Sequence, residues 1–149
     1  MEDVEKLFKQ LQQDEGIEYS IYKDHLGFLT YGIGHLITED DDEYGKPEGT
    51  PIPEEKVYEA FEKDLGTSIN ECKILFEDDL WEEFPAEVQE VCINMMFNLG
   101  RPRFSKFKKT LGHLKAHRWA EAALEARDSK WYRQVTNRAE RLCRRLEGV

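Results

Sequence analysis

Glu15, Asp24 and Thr30 place two carboxylates and a hydroxyl within sixteen residues. Acid–base cleavage of a glycosidic bond needs two carboxylates in unlike environments. Glu15 follows an amphipathic run, so it falls at a helix C-terminus, where the helix dipole disfavours negative charge. Asp24 opens a polar turn and is better solvated, the usual split between an acid and a base. The Thr30 hydroxyl could orient a water, and Arg138 is the candidate cation to hold Glu15. Each residue alone has an inert reading: a helix-end acid, a turn residue, a strand former. The order and spacing of the set carry the functional reading.

The elements that must position these groups follow from periodicity. Val4, Leu7, Phe8 and Leu11 are spaced for one helical face. Gly16 is a natural residue to end that helix after Glu15. Residues 17–37 change to an alternating, β-branched and aromatic pattern, with Asp24-His25-Leu26-Gly27 as a turn. A small antiparallel sheet is predicted there. Pro53 is expected to begin a long helix at about 54–73, on which Val57, Phe61, Leu65, Ile69 and Cys72 recur. Gly66 in its middle costs about 1 kcal/mol relative to alanine unless the helix bends there. Pro85 is expected in the first turn of a further helix, apolar nearly all round and therefore central. Short helices are predicted around 107–116 and 118–127. A last helix is predicted from Asn137, with Glu140 completing a capping box. The fold expected is α+β and mainly α, in a single domain. A β-lobe at about 16–50 is joined by the long helix to a helical lobe at about 75–149, which also takes in helix 1–14.

The net charge of −10 conceals a division. Residues 1–90 hold 26 acidic and 7 basic side chains; residues 91–149 hold 5 acidic and 14 basic. The total argues against nucleic-acid binding, while the basic part could attract a polyanion locally. Loop 39–50 is acidic, but a calcium loop starting at Asp40 would need an oxygen ligand at its fifth position and Glu at its twelfth. Tyr44 and Pro51 stand there instead. Cys72, Cys92 and Cys143, odd in number and on apolar faces, read as reduced buried thiols. No apolar run is long enough to span a membrane, and the acidic start Met1-Glu2-Asp3-Val4 is unlike a signal peptide.

Asp14-Glu15-Gly16, Ile21-Tyr22-Lys23-Asp24 and Thr30-x-Gly32-Ile33-Gly34-His35-Leu36 resemble the active-site region of phage-type lysozymes. This is the glycoside hydrolase family of the T-even phage endolysins. Ile93-Asn94-Met95-x-Phe97, Arg118-Trp119-x-Glu121-Ala122-Ala123, Trp131-Tyr132 and Asn137-Arg138-Ala139 extend the resemblance along the chain. It implies hydrolysis of the β-1,4 bond between N-acetylmuramic acid and N-acetylglucosamine in peptidoglycan, with inversion. It implies Glu15 as acid, Asp24 as base and Thr30 as positioner of the water. It also implies that Leu36, Phe97 and Thr110 contact substrate, with His35 and Arg138 in support. No metal or cofactor is expected. The partner expected is the glycan strand, bound by a monomer held in a host cytoplasm before release to the wall. Glu125 stands where the T-even enzyme has a substrate-contacting asparagine, so that role is not carried over. A non-catalytic wall-binding module on the same fold is the alternative.

Overall fold

The computed structural model describes residues 4–149. Met1, Glu2 and Asp3, on which the reading of an acidic start partly rests, lie outside the described residues. Two compact units divide the chain. One is Phe8–Gly66; the other is Thr67–Val149 with the residues up to Leu7.

The Phe8–Gly66 unit begins in helix α1 (Val4–Glu15). Leu11 is fully buried, and the Phe8 ring meets Phe61 edge-on with centroids 4.9 Å apart. The Gly16 amide donates to Gln12 O at 2.9 Å, and Gly16 has φ +75°, so the helix closes where the sequence places its end. The chain then enters a three-stranded antiparallel sheet of β1 (Glu18–Lys23), β2 (Leu29–Gly32) and β3 (His35–Leu36), in that spatial order. Thr30 lies on the central strand, opposite Tyr22 on one side and Leu36 on the other. The free edge of β1 is covered by the returning loop. Ile21 N donates to Thr50 O at 2.9 Å, and Ile52 N donates to Tyr19 O at 2.8 Å. Pairing that edge removes an exposed template for aggregation.

Helix α2 (Glu54–Phe76) gives its first residues to this unit and the rest to the other. It runs through Gly66 without a break, and the division between units falls there. Pro53 is one residue earlier than the sequence reading placed it. Its carbonyl accepts from Val57 N at 3.2 Å, so it caps the helix with its backbone rather than opening the first turn. Pro85 does the same before the central helix, at φ −56° and ψ 151°, with Gln89 N donating to its carbonyl at 3.0 Å. A proline fixes φ but leaves ψ free to stay extended, which suits the half-in capping position.

The Thr67–Val149 unit packs α3 (Asp78–Glu83), α4 (Ala86–Leu99), α5 (Arg101–Phe104), α6 (Lys108–Lys115), α7 (Trp119–Arg127), α8 (Lys130–Gln134) and α9 (Thr136–Glu147). Helix α4 is buried on nearly every side. Phe76, Trp81, Phe84 and Phe104 form an aromatic cluster, with the Phe76 centroid 5.1 Å from Phe84 and 5.9 Å from Trp81. Each such buried aromatic contributes about 2–3 kcal/mol.

The capping box expected for α9 does not form. Val135 is the N-cap residue, and no side chain caps the helix. Glu140 turns instead to tertiary partners. Its Oε1 accepts from Arg127 Nε and from the Tyr132 hydroxyl, each at 2.8 Å; Oε2 accepts from Arg144 Nε, also at 2.8 Å. Arg127, Arg144 and Tyr132 hold this carboxyl down to about 2. A carboxyl depressed in the fold contributes stability above its ordinary value of 4.5, and that contribution is lost as pH falls through about 2. Glu140→Gln should therefore lower the melting temperature at pH 7, and its gap from wild type should shrink steadily toward pH 2. Circular dichroism melts at pH 7, 4 and 2 would check this, and a gap independent of pH would contradict it.

Candidate active site

Glu15 is half-buried at the end of α1. Opposite it stands Gly34, at φ +68° in the turn between β2 and β3. A Cβ built on Gly34 would lie 3.1 Å from Glu15 Oε2 and 3.2 Å from its carboxyl carbon. Glycine suits the position twice: it takes the left-handed turn without strain, and it lets the backbone abut the carboxyl without pushing it aside.

Asp24 organises the β1–β2 turn. Its Oδ1 accepts from Leu26 N and Phe28 N, each at 2.9 Å, while its own amide donates to Phe28 O. These bonds fix the carboxylate plane and leave Oδ2 with no hydrogen-bond partner among the described residues. Thr30 is buried, and its hydroxyl donates to Phe28 O at 3.0 Å. Phe28 therefore links the two: its amide donates to Asp24 and its carbonyl accepts from Thr30. Tyr22, across the ladder from Thr30, was not singled out by sequence. Burial raises its phenol, and the charges of Glu15, Glu18 and Asp24 raise it further. Glu15 and Asp24 therefore act on one phenol between them. Alternation put Tyr22 on a strand, but only the strand pairing brings it to the carboxylates.

His35 joins three segments. Its Nδ1 lies 2.7 Å from Asp64 Oδ2 on α2, and its Nε2 lies 3.0 Å from Asp41 Oδ2 in the acidic loop. Burial lowers the imidazole, but the hydrogen bonds and charges of Asp64 and Asp41 outweigh it and the net shift is upward. Both ring nitrogens then donate, as in an imidazolium. The same loop is tied by Lys56 to Asp42 at 3.4 Å and by Glu43, which is buried and bonds the Tyr31 phenol. From sequence this segment is an acidic loop that fails the calcium-loop pattern; the structure pins it through Lys56, His35 and Tyr31. No group of three or more potential metal ligands is assembled among the described residues.

Leu36, on β3, is 48% exposed. Glu15, Asp24, Thr30, His35 and Leu36 all fall in the Phe8–Gly66 unit. Phe97, Thr110 and Arg138 belong to the other unit, on α4, α6 and α9. Arg138 is buried there, its Nε donating to Asn94 Oδ1 at 2.8 Å.

The sequence matches the phage lysozyme family over residues 12–147. It is 32% identical over 159 residues to "Probable T4-type lysozyme 2" of Dictyostelium discoideum, an alignment covering 93% of this chain and 92% of that protein. "Probable T4-type lysozyme 1" of the same organism is 29% identical, with 97% and 95% covered. The "Peptidoglycan hydrolase gp36" of Pseudomonas phage phiKMV is 26% identical over 97% of this chain, which spans 15% of that protein. A small antiparallel sheet, a long helix and a helical unit, with this match along almost the whole length, define a lysozyme-type chain. It belongs to the phage lysozyme family.

Two tests follow from the geometry. Gly34→Ala should cut turnover at least tenfold while shifting the melting temperature only modestly, because the added methyl displaces the Glu15 carboxyl. Steady-state rates beside thermal melts would show it, and unchanged turnover would contradict it. His35, raised above its ordinary 6.5, contributes stability fully present below that value and lost as pH rises through its elevated value. Wild type should lose melting temperature on going from pH 6 to pH 9, and His35→Gln should flatten that slope.

Proposed function

We propose that this protein hydrolyses peptidoglycan at the β-1,4 bond between N-acetylmuramic acid and N-acetylglucosamine. The observation that carries the reading is the Glu15 carboxyl held against the Gly34 backbone, in the same unit as the Asp24 turn and the buried Thr30 hydroxyl. Membership of the phage lysozyme family supports the reaction class, and the printed name of the phiKMV relative supports the polymer.

In this mechanism Glu15 protonates the leaving glycosidic oxygen. Asp24 Oδ2, the oxygen not engaged by its own turn, accepts a proton from water. Thr30 positions that water, which attacks the anomeric carbon from the opposite face. Inversion follows, as expected for carboxyl groups about 6.5–9.5 Å apart with a water between them. Leu36, Phe97 and Thr110 contact the glycan, and His35 and Arg138 support the set. The chain acts as a single lysozyme domain and as a monomer. It is an endolysin, held in a host cytoplasm until a separate membrane lesion admits it to the wall; among the described residues no helix is long and apolar enough to cross a membrane.

Glu15→Gln tests this directly. A general acid contributes about 10²–10⁴-fold, so reducing-end release from purified cell walls should fall at least a hundredfold while circular dichroism and melting temperature stay near wild type. Normal release by that variant would overturn the mechanism. Nuclear magnetic resonance of the first product formed by wild type should show the α-anomer; a β-anomer would contradict inversion.

A further inference from the structure

Strand pairing sets three side chains in a row across the sheet: Tyr22 on β1, Thr30 on β2 and Leu36 on β3. Residues directly opposite one another in an antiparallel ladder project from the same face. The row lies wholly within the Phe8–Gly66 unit. Thr30 and Leu36 already have roles in the proposed reaction, and Tyr22 has none. Its neighbour Ile21 alternates to the other face and is buried in the core. Tyr22 is only partly buried, so its phenol is reachable from solvent in a way that a core residue is not.

The phenol is an uncommitted donor beside the carboxylates. As a carboxylate Asp24 only accepts, and its Oδ1 is taken by Leu26 N and Phe28 N. The Thr30 hydroxyl gives its proton to Phe28 O. Both ring nitrogens of His35 are engaged, by Asp64 and Asp41. The Tyr22 hydroxyl makes no hydrogen bond among the described residues. Burial raises Tyr22 above its ordinary 10.0, and the charges of Glu15, Glu18 and Asp24 raise it further, so it keeps its proton throughout the neutral range. The same negative charges select what the donor can meet. The lactyl carboxylate of a muramic sugar is repelled by them, and a neutral carbonyl is not.

We propose that Tyr22 is a specificity residue: its hydroxyl donates a hydrogen bond to the acetamide carbonyl of the sugar lying over Thr30 and Leu36, so that the site selects N-acetylated glycan over glycan that has lost its acetyl groups. The place of the glycan rests on the hydrolytic reading above. An amide carbonyl is the strongest neutral acceptor that such a glycan offers, since its hydroxyl and ether oxygens accept more weakly. Leu36, exposed at the other end of the row, gives the sugar an apolar contact. Loss of the acetyl group leaves an ammonium, which has donors and no acceptor. The Tyr22 hydrogen then faces a group that cannot receive it, and a site built around a hydrogen bond discriminates against a ligand that lacks the partner.

The test is a titration of the full chain carrying Glu15→Gln, with and without Tyr22→Phe, followed by amide nuclear magnetic resonance. The probes are a short β-1,4 oligomer of N-acetylglucosamine and N-acetylmuramic acid and the same oligomer stripped of its acetyl groups. Tyr22→Phe should weaken binding of the acetylated oligomer about fivefold and of the stripped one by no more than about twofold. The melting temperature should not move, because the hydroxyl bonds nothing in the protein. With Glu15 intact, Tyr22→Phe should raise KM for acetylated walls by the same factor and leave kcat and its pH profile unchanged. The proposal is overturned if the variant weakens both oligomers equally, weakens neither, or loses melting temperature along with affinity. It is equally overturned if the variant moves the pH profile of kcat and leaves affinity alone, which would make Tyr22 a partner of the carboxylates rather than of the sugar. Reducing ends are assayed in every titration. Their release by the Glu15→Gln chain would sink the catalytic reading, while the acetyl dependence of affinity would still be read from the same samples.

Discussion

A helix buried on nearly every side must give each of its polar side chains a partner, and α4 sets that requirement for the unit around it. Gln89, Glu90 and Asn94 are all at most 3% exposed. Gln89 Nε2 donates to Trp81 O at 2.9 Å, which ties α3 down. Glu90 receives Arg145 at 2.7 Å and Lys6 at 3.4 Å, so one buried carboxylate holds α9 and the start of α1. Asn94 accepts from Arg138, a second tether from α9. Removing one partner of a buried charge costs about 3–5 kcal/mol, so these contacts specify how the helices are arranged. The apolar faces alone would tolerate several packings; the polar groups do not.

In the other unit the corresponding constraint is steric. Glu15 and Gly34 approach so closely that any side chain at position 34 would press on the Glu15 carboxyl, and the turn holds Gly34 in the left-handed region. That approach requires the β2–β3 turn to sit beside the end of α1, and the sheet fixes the turn. The sheet is short, and its loop and helix are drawn in by His35 between Asp41 and Asp64. An ionic clip outside the proposed chemistry thus holds the frame that aims it.

Much of this was legible along the chain because the signals are local. The helical period before Glu15, Gly16 after it, and Asp24 at the head of a turn are short-range facts, and each element forms where its residues indicate. What was not legible depends on partners distant in sequence. Asp64 falls between the apolar positions of its helix and drew no reading; its partner His35 lies 29 positions earlier. Glu140 reads as a capping residue until Arg127 and Tyr132 claim it. Tyr22 reads as an alternating strand residue until pairing sets it opposite Thr30. The two prolines erred by one residue because their carbonyl, rather than their ring, does the capping.

Cys72, Cys92 and Cys143 are free and buried, and all three lie in the Thr67–Val149 unit. Burial pushes the Cys92 thiol well above its ordinary range and Cys143 up to about 11. Alkylating agents and peroxides attack the thiolate, so a folded helical unit offers them almost nothing. The three sulfurs consequently act as a built-in clock: they are modified only as fast as that unit opens. The sheet-bearing unit carries no cysteine, so its opening leaves the clock untouched. Labelling rate set against global melting separates breathing of one half of the chain from breathing of the other.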